Sequence, residues 1–198
     1  MKKIEKNTVY YAHTKEGKSE EEWQTLKQHL IETAELAGMF AEKFDCGNVG
    51  KLIGMVHDFG KYSKEFQAYL KNPLEKGPDH SSAGTQEIIN HLGFHGKLLA
   101  YSIAGHHSGL ANGLDNTKSN LEERLKKAVP NYEEWKKEIK LSELVNGLDL
   151  KKSYEALKRD DNVKTSFALF VFARMLFSCL VDADRLNSEE FGDKKKSQ

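Results

Sequence analysis

The sequence predicts an all-α domain, and three observations carry that expectation. Apolar residues recur three and four apart over long stretches, as in Trp23, Leu26, Leu30, Ala34, Ala37 and Phe40, the spacing of a helix with one buried face. Val, Ile and Thr are sparse, and no run alternates apolar and polar residues convincingly enough for a strand. Only three prolines interrupt 198 residues, a length that suits one domain with a substantial core.

Residues 1–19 read as polar and irregular, with a short apolar cluster at Val9-Tyr10-Tyr11. The first helix is expected from Ser19, where Ser-Glu-Glu-Glu resembles a capping box, and it carries His29 on its inward stripe. Gly47 and Gly50 separate it from a helix over 49–58, after which Gly60 permits a sharp change of direction. A short helix over 62–71 starts at Ser63, and 72–79, with two prolines and a glycine, is a loop. Helices follow over 81–92 and 95–107. Residues 110–163 are rich in Lys and Glu and read as two or three solvated surface helices near 118–129, 131–139 and 150–159. A long apolar helix over 164–182 is the central core helix, and the chain from Ser188 is a flexible tail. No repeat or long linker divides the chain, so 1–198 is taken as a single domain with 110–163 as a variable helical insertion.

Lys+Arg and Asp+Glu balance at 30 each. A protein that grips long nucleic acid unaided is usually basic, so any such affinity must come from metals, a local patch or a partner. The start, Met1-Lys2-Lys3-Ile4-Glu5, leads into polar residues rather than the apolar core of a signal peptide. The longest apolar stretch, Phe167 to Val181, is interrupted by Arg174 and reads as too short to span a bilayer, so no membrane association is expected. Cys46 and Cys179 stand far apart without a CxxC or disulfide pattern, which points to a reducing cytoplasm.

The residues that carry chemistry are His29, the pair His57-Asp58, His80, the doublet His106-His107 and Asp182. Imidazole and carboxylate are favoured ligands of divalent transition metals, and this set suffices for two ions with positions left open for water and substrate. Asp58 is the natural bridge between them, since two close cations repel and a shared carboxylate relieves that. The doublet can face one cavity only if the backbone leaves regular helix, because helical neighbours point about 100° apart; Gly105 and Gly109 make that feasible. Asp182 ends the apolar helix, where a bare charge would be costly, although Asp184 could serve in its place. His91 and His95 flank an ordinary Leu92-Gly93 turn and, like His13, serve as internal controls. The set supports a metal-dependent phosphodiesterase, the chemistry in which bound cations activate water and hold phosphoryl oxygens.

This ordered set resembles the HD superfamily of metal-dependent phosphohydrolases. The flanking words are more narrowly similar to the HD nuclease domain of the CRISPR-associated helicase-nuclease of type I interference systems. They are Tyr11-Ala12-His13-Thr14, Trp23 through His29, His57-Asp58-Phe59-Gly60-Lys61-Tyr62-Ser63, Phe66-Gln67 with Tyr69-Leu70, His80-Ser81-Ser82-Ala83-Gly84, Ala104 through Leu110, and Leu180 through Leu186. The resemblance implies a compact HD-type helical domain with a dinuclear metal site between core helices. It implies a DNA nuclease of antiviral defence, endonuclease or 3'-5' exonuclease, that cuts single-stranded DNA beside a CRISPR helicase and a Cascade-type surveillance complex. By position, His29, His57, Asp58 and Asp182 would hold one ion, and Asp58, His80, His106 and His107 the other. Lys61 matches the family lysine and would stabilise charge on the phosphate. Imidazole-rich ligands fit Mn, Fe, Co or Ni better than Mg, which prefers oxygen, although Mg could act by exchange at the second position. The chain has no Walker-type loop, so unwinding would come from a separate or fused helicase. The alternative is an HD-family nucleotide or cyclic-dinucleotide phosphohydrolase.

Overall fold

Thr25 decides where the first long helix begins. Its hydroxyl accepts the Gln28 N–H at 3.3 Å, so it caps helix α1, Leu26–Ala41. The expected start at Ser19 is not used. Glu20–Glu22 make a single 3-10 turn, and Gln24–Thr25 (β2) instead pair antiparallel with Tyr11–His13 (β1). Gln67 anchors this pairing, donating to the Tyr11 carbonyl at 2.9 Å and accepting the Tyr11 N–H at 3.0 Å. Such tertiary hydrogen bonds outweigh the weak local preference of an exposed glutamate run for helix. The structure is a computed structural model and describes residues 8–73, 77–110 and 120–193; expectations for 1–7, 74–76, 111–119 and 194–198 lie outside the described residues.

Helix α2, Gly47–Val56, packs along α1. A Cβ on Gly54 would stand 2.6 Å from the Ala34 Cα, so only glycine permits this approach of backbones. Ser63 then caps α3, Lys64–Lys71, by accepting the Phe66 N–H at 3.3 Å. Helices α4, Ser81–Leu92, and α5, Lys97–Gly105, pack together, close to their expected spans. Further on come α6, Leu121–Lys126, α7, Leu141–Asn146, and α8, Leu150–Leu157. The helix expected over 131–139 is a 3-10 turn, Glu133–Lys137, and α7 was not foreseen.

The Lys- and Glu-rich stretch is more than a solvated face. Leu121, Trp135, Ile139, Leu141 and Leu150 from it are buried in the main core, with the Trp135 ring stacked on Phe59 at 4.7 Å. Burial of such side chains contributes roughly 1.5–3 kcal/mol each.

Helix α9, Asn162–Asp193, is far longer than expected. Ser188 and the five residues after it are helical rather than a frayed tail. Asn162–Gly192 is long and apolar enough to cross a bilayer by length and composition, so the expectation of too short a stretch does not hold. It packs against α1 and α5, burying Leu176, Leu180 and Ala183. Its N-terminal half leaves Phe167 and Phe170 exposed, so only part of it is a core helix. Cys46 and Cys179 are free and buried.

Candidate metal centre

The candidate ligands sit mostly where helices end. His29 lies within α1, fully buried. His57 caps the end of α2 in helical conformation, and Asp58 then leaves the helix at φ −111°, ψ 21°. That break lets adjacent side chains share one cavity. His80 precedes α4, and His106 caps the end of α5 with His107 beyond it. Gly105 accepts N–H bonds from Ser108 and Gly109, and Gly109 takes φ +84°, so the doublet occupies a closing turn rather than regular helix.

Two four-residue groups result among the described residues, and Asp58 belongs to both. In the first, His57 Nε2 stands 3.3 Å from His29 Nε2, 3.3 Å from Asp58 Oδ2 and 3.6 Å from Asp184 Oδ1. His29 Nε2 is 3.4 Å from each of those oxygens. Separations of this size are those of neighbouring ligand atoms held about 2.1 Å from a common centre, the bond length of a first-row divalent ion to nitrogen or oxygen. In the second group, Asp58 Oδ1 is 3.4 Å from His106 Nε2 and 3.6 Å from His80 Nε2. The exposed His107 completes it, its ring 4.8 Å from that of His80.

Hydrogen bonds behind the rings fix which nitrogen faces inward. Nδ1–H of His57 donates to the Gly54 carbonyl and that of His106 to the Ile103 carbonyl, both at 2.7 Å, and that of His80 to the Pro78 carbonyl at 3.2 Å. Each therefore turns Nε2 toward Asp58, where it can ligate a metal once unprotonated. For His29 the partner is Asn187. Its amide nitrogen donates to Glu32 at 2.6 Å, so its oxygen faces His29 Nδ1–H at 2.7 Å and also accepts from Gln24 at 2.8 Å. Asp58 Oδ1 and the Nε2 atoms of His80 and His106 are buried without hydrogen-bond partners, and Asp58 Oδ2 meets the Lys61 ammonium as an ion pair at 2.7 Å. Converging buried acceptors are expensive unless a cation satisfies them, so the donor set fits divalent metal.

Of the expected residues, His29, His57, Asp58, His80, His106 and His107 come together, and Asp182 does not. Asp182 is exposed on α9, and Asp184 occupies the inward position. On a helix, residues two apart point to nearly opposite sides, so only one of the two acids can face the cavity. The signal was present in the spacing Leu176, Leu180, Asp184, Asn187, which continues one buried stripe. Asn187, which orients His29, was not anticipated.

Gly60 also differs from expectation. It serves close approach rather than an unusual turn: a Cβ there would collide with the His80 carbonyl and lie 2.5 Å from its Cα. The Gly60 N–H donates to that carbonyl at 3.2 Å, tying the two ligand segments together. Lys61 is no surface lysine. It is buried, with Nζ 2.7 Å from Asp58 Oδ2 and 5.4 Å from the Phe66 ring centre. His13 stacks edge-on to His29, ring centres 5.0 Å apart, whereas His91 bonds the Glu87 carbonyl within its own helix.

The protein's own charges set the protonation that an incoming cation would meet. Burial disfavours charge on His57, but Asp58 and Asp184 override it and push it up to about 10. Burial likewise opposes ionisation of Asp58 and Asp184, yet His57 and Lys61 around the first, and His29 and His57 around the second, hold both well below the usual carboxylate range. Burial lowers His80, and burial with the neighbouring His106 lowers His107 to about 4, so these two rings are neutral near pH 7 and ready to ligate.

The HD domain family model matches residues 26–143, a span that includes every candidate ligand except Asp184. No curated protein matches the chain. The matched span runs from the start of α1 through the His-Asp pair and the doublet, where the buried acceptors converge, and the chain therefore belongs to the HD domain family, whose members are metal-dependent phosphohydrolases.

Proposed function

We propose that this chain is a two-metal phosphodiesterase that cuts single-stranded DNA as the nuclease component of a type I CRISPR defence system. The observation that carries it is the division of Asp58 between two ligand groups, Oδ2 to one and Oδ1 to the other. When bound, divalent ions would supply an activated water and charge compensation for phosphoryl oxygens. His29, His57, Asp58 and Asp184 would hold one ion, and Asp58, His80, His106 and His107 the other. The hydrogen-bonded Nδ1 atoms pre-orient the rings, and the buried Lys61 ammonium is placed to offset charge developing at the phosphate.

The words around the ligands support DNA as substrate, with a helicase and Cascade-type complex as partners. The balanced charge of 30 basic and 30 acidic residues supports delivery of the strand by such partners. Free, buried cysteines support a cytoplasmic setting. The second reading, a nucleotide or cyclic-dinucleotide phosphohydrolase, is favoured by the depth of the first ligand group, in which His29, His57 and Asp58 are fully buried.

Circular single-stranded DNA and a nucleotide panel, each incubated with manganese and with chelator, separate the readings. Manganese-dependent fragmentation of the circle is expected. Hydrolysis of nucleotides alone would establish the second reading, and inertness toward both would overturn phosphodiester chemistry. Linear duplex should stay intact until a helicase and ATP are added.

A further inference from the structure

Arg124 carries a positive charge that no carboxylate answers among the described residues. It lies half-buried on α6. Nη1 donates to Ser81 Oγ at 2.9 Å and Nη2 to Ser108 Oγ at 3.2 Å. Nε is buried without a partner. Ser81 directly follows His80, and Ser108 directly follows His107. The guanidinium therefore joins the two segments that deliver the second ligand group, on the side where His107 is exposed.

Neighbouring basic side chains are already matched: Lys97 with Glu122 at 2.8 Å and Lys127 with Asp79 at 2.5 Å. Ser81 Oγ reaches Asp79 at 3.4 Å, but that carboxylate is the one Lys127 neutralises. The backbone of α6 is pinned to α4, since Gln86 Nε2 donates to the Arg124 carbonyl at 3.1 Å and the Lys127 carbonyl at 2.8 Å. A guanidinium has five donors, and two hydroxyls neither use them all nor cancel its charge. A fixed planar donor group of this kind matches phosphate oxygens.

We propose that Arg124 binds a phosphoryl group of the substrate at the mouth of the second ligand group. The proposal rests on the phosphodiester reading above for its role in turnover, but phosphate binding tests it independently. The competing role is mechanical, with Arg124 merely tying Ser81 to Ser108.

The experiment is calorimetric titration of inorganic phosphate into manganese-loaded protein, for the wild type and for Arg124→Ala, Arg124→Gln and Arg124→Lys. Manganese content of each is measured alongside. Loss of a charged hydrogen-bonding partner should weaken phosphate binding about tenfold or more in the Ala and Gln variants. Lys should restore part of it, and manganese content should stay unchanged. Equal phosphate affinity in all four proteins, no phosphate binding by the wild type, or loss of manganese from the variants would each overturn the proposal. Lost phosphate affinity in a protein that hydrolyses no phosphodiester would uphold Arg124 while refuting the catalytic reading.

Discussion

At Asp58 a single carboxylate is divided between two groups of imidazoles, so its removal should empty both. Asp58→Ala is expected to lose bound manganese and to bring activity to background, read by metal analysis and by DNA digestion. Asp184→Asn and Asp182→Asn form a sharper pair. The first removes an acceptor 3.4 Å from His29 Nε2 and should lose one ion. The second changes an exposed side chain and should alter stability by less than about 0.5 kcal/mol. Metal loss from Asp182→Asn, with Asp184→Asn fully loaded, would refute the arrangement of α9. Asn187→Ala removes the orienting partner of His29, and manganese affinity should fall about 10–100-fold with the ligands themselves intact. His91→Ala should leave both metal content and activity unchanged. Six of the converging residues were legible because residue type and order sufficed to pick them out. Asp184 was not, since choosing between acids two apart requires knowing which face of α9 turns inward.

Helix ends do most of the positioning, and glycines set how closely those ends meet. Gly60→Ala would press a methyl group into the backbone of His80, at a cost of about 1–3 kcal/mol. Because His80 must then move, manganese at the second group should fall along with the melting temperature. A variant as stable and as fully loaded as the wild type would contradict the close approach. Helices α3 and α4 were legible from local signals, a serine cap at Ser63 and a loop ahead of His80. The start of α1 was not. The acidic run after Ser19 has a good local pattern, but Gln67, far away in sequence, holds Tyr11 in the partner strand. Trp135 and Leu141 likewise looked like parts of solvated segments and became core only through contact with the rest of the chain.

For the molecule as a whole, the site couples stability to pH and to metal. His57 is raised from its ordinary 6.5 to about 10. A group raised on folding contributes its full stability below about pH 6.5 and loses it as the pH climbs through 10. Without added metal, the melting temperature should therefore fall across that window. Manganese needs the same nitrogen unprotonated, so the stabilisation it confers should grow with pH over the same range. Thermal unfolding with manganese and with chelator at several pH values checks both trends. A manganese effect that shrinks as pH rises would refute the role of His57.

Composition and helical periodicity determined by themselves the all-α class, and the type and order of histidines and aspartates picked out most of the residues that converge on Asp58, because these depend on residue type and near-neighbour spacing; the family was legible from the resemblance of the words around them. Only the tertiary structure decided that Asp184 faces the cavity in place of Asp182, that Asn187 sets the tautomer of His29, and that Lys61 is buried against Asp58. Those outcomes depend on which faces of distant helices meet, and a chain gains that information only by packing.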